Sequence, residues 1–245
     1  MSSAHNMFIS NKEAIPVIKT DIFEESDGMP LAITRVSTED MLRGDNPIAL
    51  GYAQLRANVY IDQTRMISES YRRADGGEDD ADDLRSLHYV GLEDRGNGEA
   101  AVIASMRLIH QTDETPLPIN ELFEDELRGK NVGPGAFEVS RYIAKSEIRR
   151  NSIMSKAAIT GVGLSHAIEN GWGPCLAVVE SPIEADLARM GVPVERIADP
   201  KFIEEYNDTN VGIEIDLPEF ANRIGHEALK TMYIEEGGVY FFGKR

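Results

Sequence analysis

The sequence predicts a mixed α/β fold built on one continuous core. Three observations carry that reading. Strand-forming and helix-forming runs alternate through the second half of the chain. Two strand runs, residues 87–92 and 100–109, flank E-D-R-G-N-G, which has the turn chemistry of a hairpin. Residues 135–145, G-A-F-E-V-S-R-Y-I-A-K, place strand formers Phe137, Val139, Tyr142 and Ile143 around Glu138 and Arg141. A core strand with an acid and a base three positions apart needs an explanation, because a buried charge is costly unless paired. Residues three apart in a regular strand point to opposite faces. The strand therefore has either a solvated face with a surface ion pair, or a bulge that lets the two charges cooperate.

The first 29 residues are weakly patterned and read as an arm or tail. Residues 30–245 read as a single domain. The run 31–36 alternates loosely and reads as the first strand. Asn46-Pro47 marks a helix start, with Asn46 as cap and Pro47 in the first turn. Ile48, Tyr52, Leu55 and Val59 then fall at helical spacing, with Arg56 one turn before Tyr60. Residues 62–84 are polar and include E-D-D-A-D-D, residues 78–83. Carboxylates so dense are solvated, bound to cations, or facing a cationic partner, and a solvated loop is the plainest of these. The spacing is not that of a calcium loop. In the second hairpin strand, Val102, Ala104, Met106 and Leu108 are expected on one face, with Ile103 and Arg107 on the other.

A short helix around residues 119–127 holds Phe123, and Gly133-Pro134-Gly135 turns into the central strand. A long helix follows to about Glu169, ended by Gly171. Arg149, Arg150 and Lys156 at its start oppose the helix dipole. They are either surface bases or a cradle for phosphate. No glycine-rich phosphate loop occurs, and the glycines of G-V-G-L lie inside the helix, where they permit close packing. Residues 175–179 form an apolar strand. Ser181-Pro182-Ile183-Glu184 reads as a capping box opening a helix that stops at Gly191. Further strands are expected at 194–197, 211–215 and 238–242, with a helix from Pro218 to about Lys230.

The net charge of −17 argues against bulk nucleic-acid binding. Apolar runs fall far short of a membrane span. A lone Cys175 and the lack of a leader pattern point to a reducing cytoplasm, with Cys175 as a core residue.

Taken in order, several of these motifs resemble the acyl-homoserine-lactone (autoinducer) synthases, a branch of the GNAT-like acyltransferases. The carriers are R-A-N-V-Y (Arg56, Tyr60), an acidic E-x-D-x-x-D (Glu78, Asp80, Asp83) and S-M-R-L (Arg107). Phe123 follows a proline-containing loop, and E-x-S-R supplies Glu138, Ser140 and Arg141. The likeness spans roughly residues 56–197. The family's Trp after the first helix is missing from I-D-Q-T-R-M-I, residues 61–67.

The resemblance implies a GNAT-like mixed central sheet, with a bulged and splayed central strand flanked by helices. It implies acyl transfer from acyl-ACP or acyl-CoA to an amine, S-adenosylmethionine or an amino acid, with no tightly bound cofactor and no metal. Glu138 would be the base, acting through a water, with backbone N–H groups near Ser140 and Arg141 polarising the thioester. Arg107 and Arg141 would pair with Glu78, Asp80 and Asp83 to order a lid over the acceptor, and Arg56 would hold that loop or the acceptor carboxylate. Phe123 and Met106 would line the acyl pocket. Arg149, Arg150 and Lys156 would meet the phosphopantetheine phosphate and an acidic acyl carrier protein. A neutral or anionic acceptor would make the chain an N-acyl amino acid synthase instead, and a chain of this fold without catalysis would be a binding module.

Overall fold

The computed structural model describes residues 15–24, 29–128, 132–133, 135–147, 149–224, 233–236 and 238–242. Its strands are β1 (Val17–Lys19), β2 (Leu31–Val36), β3 (Ser86–Gly96), β4 (Glu99–His110), β5 (Phe137–Ala144), β6 (Cys175–Glu180), β7 (Val194–Ile203), β8 (Asp208–Ile215), β9 (Tyr233–Glu236) and β10 (Val239–Phe242). Among the described residues they form one mixed sheet, ordered β7-β8-β6-β5-β4-β3-β2-β10-β9, with β1 paired to β4. The β3–β4 hairpin runs longer than its apolar cores, because Asn97 and Gly98, both at positive φ, make the turn only after Gly96. Much of the expected arm, residues 1–14 and 25–28, lies outside the described residues, while β1 within it pairs with residues 99–101.

The helices are α1 (Thr38–Arg43), α2 (Pro47–Arg56), α3 (Pro118–Leu122), α4 (Glu124–Leu127), α5 (Arg149–Glu169), α6 (Ser181–Arg189) and α7 (Leu217–Ile224). Asn46 caps α2 as expected, its side chain accepting the Ile48 and Ala49 N–H groups at 2.9 and 3.3 Å. The capping box expected at Ser181 does not form. Ser181 is already helical and Glu180 occupies the cap position without a side-chain bond. The stretch 225–230, expected to extend α7, lies outside the described residues.

One core cluster joins β3–β6 and β8 to α5, α6 and α7 through Met106, Phe137, Ile159, Leu187 and Phe220. On the opposite face, Tyr52 and Leu55 of α2 pack over Val90 and Val102. A third cluster sets Phe123 and Ile119 against Ile109 and Leu176. The side-chain alternation expected along β4 breaks at Ile103. Gly91 pairs with Ala104 and Leu92 with Val102, so Ile103 is an extra residue. Ile103 therefore joins Ala104, Met106 and Leu108 on the α5 face, and Val102 goes to the α2 face with Arg107's neighbours.

A second irregularity positions the site. Arg107 pairs with Ser140 but Ser105 with Ile143, so Met106 alone faces both Arg141 and Tyr142. This is the bulge that Glu138 and Arg141 required, and Arg141 takes φ 50° to make it. The Ser105 hydroxyl pins it by donating to the Arg141 carbonyl at 2.6 Å. On its other edge β5 pairs in parallel with β6 only from Phe137 to Val139, after which the strands part. No described helix is long and apolar enough to cross a membrane.

The α5–sheet contact is close at Gly163, where an added Cβ would lie 1.9 Å from the Met106 Cε. Gly163→Val is expected to destabilise the fold by about 1–3 kcal/mol in urea unfolding, as overpacked cores do. Shortening the opposing side chain with Met106→Ala should recover part of that loss in a double-mutant cycle.

Candidate active site

The arginines and carboxylates singled out in the sequence meet in one closed ring. Arg56 Nε donates to Glu78, and its two terminal nitrogens grip Asp83 at 2.8 and 3.0 Å. Arg107 bridges Asp83 at 2.7 Å and Asp80 at 2.5 Å. Arg141 completes the circuit between Asp80 at 2.6 Å and Glu78 at 2.9 Å. Each charge thus lies between two of opposite sign, and three guanidinium groups balance three carboxylates. Four elements contribute: α2, β4, the bulge of β5 and the acidic segment. That segment is no solvated loop, because Glu78 and Asp83 are buried beneath it. Asp80 and Asp83 also cap its 3-10 turn reciprocally, each carboxylate taking an N–H of the other's end.

The electrostatics follow from this geometry. Burial alone would raise the Asp83 carboxyl pKa, but Arg56 and Arg107 outweigh it and hold it well below the usual range. Burial is likewise outweighed at Glu78 by Arg56 and Arg141, and at Asp80 by Arg107 and Arg141. Burial would lower Arg107, but Asp80 and Asp83 push it up instead. Arg56 is fully buried and bonded to Glu78, Asp83 and the Tyr52 hydroxyl, so it holds the loop and is not turned toward a ligand. The Arg141 side chain, by contrast, keeps 12% exposure against 2% for Arg107. Its edge with Asp80 is the open side of the ring.

Tyr60 backs that edge. The helix widens into a π turn over residues 57–63, a form common at functional sites. From there the Tyr60 ring sits 5.4 Å from the Arg141 guanidinium, and its hydroxyl donates to the Tyr142 carbonyl at 3.3 Å. In the stretch after α2, Ile61 and Ile67 form a small apolar cluster with Ala57, against which Tyr60 and Met66 pack.

Glu138 lies on the same face of β5 as Ser140, beside but outside the ring. Ser140 accepts from Arg107 Nε at 2.8 Å. Glu138 is buried and accepts the Ile119 N–H at 2.8 Å, serving the start of α3, which has no side-chain cap of its own. Burial raises its pKa to about 7, against the opposing pull of the Ile119 N–H and Arg107. Phe123 packs near it, in the cluster with Ile119. Met106 does not join Phe123, because the alternation of β4 sends it to the α5 face. Lys156 pairs with Asp186 of α6 at 3.5 Å. Arg149 and Arg150 open α5, and their side chains lie outside the described residues. Among the described residues there is no cluster suited to a metal ion.

Two groups under the ring were not read as site residues from the sequence, where Tyr52 belonged to the core stripe of its helix and His88 was not singled out. His88 pairs in register with Arg107, and its ring contacts the Tyr52 hydroxyl at 3.1 Å and the Asp83 carbonyl at 3.2 Å. Burial, opposed by Asp83, lowers its pKa to about 4, so it is neutral at pH 7. Tyr52 was legible as the i−4 neighbour of Arg56, but His88 needed the β3–β4 register.

Removing one charge from a buried network strands its partners. Asp83→Asn is expected to cost about 3–5 kcal/mol in denaturant unfolding. The depressed carboxylates stabilise the fold above their unfolded pKa values and cease to do so as pH falls through their folded ones. Acid unfolding should therefore begin below about pH 4 and shift upward in Asp83→Asn.

Comparison with known proteins agrees with this geometry. A relative from Aeromonas salmonicida described as an acyl-homoserine-lactone synthase is 28% identical over 187 residues, covering 71% of this chain and 83% of its own. The fold matches BjaI, described as a CoA-dependent acyl-homoserine lactone synthase and solved with SAM and isopentyl-CoA. The TM-score is 0.60 at 20% identity, with 80% of this chain and 90% of that one covered. It also matches the AHL synthase LasI, at TM-score 0.56 and 20% identity, covering 78% and 91%. Residues 52–220 match the family model described as autoinducer synthase, and they include the whole ring, the bulged strand and Glu138. The chain belongs to the autoinducer synthase family and is an acyltransferase.

Proposed function

We propose that this enzyme moves an acyl group from a phosphopantetheine thioester to the amine of S-adenosylmethionine, giving an acyl-homoserine lactone. The observation that carries the reading is the charge-balanced ring beside Glu138, at the point where β5 leaves β6. That parting offers an edge along which a pantetheine arm can lie. The acceptor ammonium must lose a proton before it can attack, and a carboxylate whose pKa is near 7 suits that task. The nitrogen then bonds to the thioester carbon, and N–H groups near Ser140 and Arg141 stabilise the oxyanion. Collapse of the intermediate expels the thiolate, and the acceptor carboxylate then bonds to its own γ-carbon while the sulfonium C–S bond breaks and methylthioadenosine leaves, which closes the lactone.

The ring acts as a fixed wall. Its own charges cancel, so it holds the acidic segment in place instead of attracting cations over a distance, and the acceptor meets it at the Arg141–Asp80 edge. Phe123 borders the acyl chain. The bases Arg149, Arg150 and Lys156 in the first turns of α5 are the proposed partners for the phosphate of acyl-ACP or acyl-CoA. BjaI is described as CoA-dependent, which makes coenzyme A the first donor to test here. An acidic carrier must find a local basic patch on a chain of net charge −17, so turnover with acyl-ACP should fall as salt rises.

Mass spectrometry of extracts from an expressing host is expected to find acyl-homoserine lactones. Acyl amino acids in their place would reassign the acceptor. The kcat/KM profile should rise with pH through about 7 as Glu138 ionises. Glu138→Gln should remove that limb and lower kcat about 100-fold or more, with donor affinity little changed. A Glu138→Gln enzyme with full turnover would exclude the base assignment.

A further inference from the structure

The scheme above gives no part to His88 and Tyr52, yet their hydrogen bonds can run in one direction only. Both side chains are fully buried. The His88 Nε2 lies 3.2 Å from the Asp83 carbonyl, which can only accept, so Nε2 carries the ring proton. Nδ1 is then the acceptor, and the Tyr52 hydroxyl 3.1 Å away donates to it. The Tyr52 oxygen in turn accepts from Arg56 Nη1 at 3.2 Å. Donors therefore run unbroken from Arg56 through Tyr52 and His88 to the Asp83 main chain. The opposite tautomer would set a lone pair against the carbonyl and leave the Tyr52 proton unused in a buried site, which is unfavourable.

We propose that His88 is a positioning residue for the amine substrate, holding the Asp83 main chain so that the ring presents its Arg141–Asp80 edge in one place. The inference rests on the reading that the acceptor meets that edge. The path from His88 to the edge is short. Arg107 donates to the Asp83 carboxylate at 2.7 Å and to Asp80 at 2.5 Å, and Arg141 donates to Asp80 at 2.6 Å. His88 also lies opposite Arg107 in the β3–β4 register, so one strand pair sets both the imidazole and the guanidinium. A neutral imidazole does this without disturbing the balance of three guanidinium groups against three carboxylates. A charged one would add a fourth cation and turn an N–H on the Tyr52 hydroxyl. The thioester edge is further off: β3 is separated by β4 from β5, whose far side parts from β6. Loss of His88 should therefore be felt by the amine and not by the donor.

Steady-state rates are measured with an acyl-CoA donor and S-adenosylmethionine. His88→Leu is expected to raise the KM for the amine about 10-fold and to leave the KM for the donor near that of the parent enzyme. His88→Gln, whose amide N–H can reach the same carbonyl, should bring the amine KM back. An unchanged amine KM in His88→Leu would overturn the proposal. Equal rises in both KM values would make His88 a packing residue and overturn it too. Should His88→Leu fail to fold, Tyr52→Phe takes its place, with the same amine-selective rise expected. Nitrogen NMR of the His88 ring in the parent enzyme at neutral pH should show the Nε2–H tautomer, and the Nδ1–H form would sink the proposal. A parent enzyme that acylates a different amine would remove the S-adenosylmethionine reading alone, and the variants are then judged on that amine.

Discussion

Three arginines that cannot lose their charge, two of them buried and the third half-buried, sit together in this enzyme, and the rest of the site is arranged to make that tolerable. A single buried ion pair is weak support for a fold, since desolvation offsets most of the attraction. A closed ring changes the balance, because every guanidinium has two carboxylate neighbours and none faces an apolar wall alone. Closure also ties together elements distant in sequence. The acidic segment has little apolar surface of its own, so its position depends on Arg56, Arg107 and Arg141.

The site keeps four carboxylates in two different states. Glu78, Asp80 and Asp83 each face two arginines and stay ionised. Glu138, one step away on β5, is buried with a single backbone N–H and is held near neutrality. Environments that push neighbouring acids apart are how acid–base roles are divided in active sites. The division here comes from the bulge. Without the extra residue opposite Met106, Arg141 would point away from Glu138's face and leave Glu78 and Asp80 short of a partner.

Much of the fold was legible along the chain. Asn46-Pro47, the β3–β4 hairpin and the glycine-ended α5 rest on local signals that tertiary contacts did not override. The errors fell where a long-range contact decided. The acidic run looks solvated because like charges close in sequence repel, and nothing local shows that three cations arrive from elsewhere. Ile103 and Val102 changed faces because a bulge is a property of two strands in register and not of either alone. Met106, Ala104 and Leu108 kept the common face expected of them, which is the face that α5 covers.

The identities and order of Arg56, Glu78, Asp80, Asp83, Arg107, Glu138 and Arg141 were enough to name the family and the reaction type, because chemistry is carried by side-chain type. Composition also bounded the partners, since a strongly acidic chain has no broad basic footprint. Only the folded molecule decided that these charges close into a ring and that Glu138 is outside it. Those outcomes depend on which strands pair, where the pairing slips and which groups lose water, and such terms exist only once distant segments are packed together.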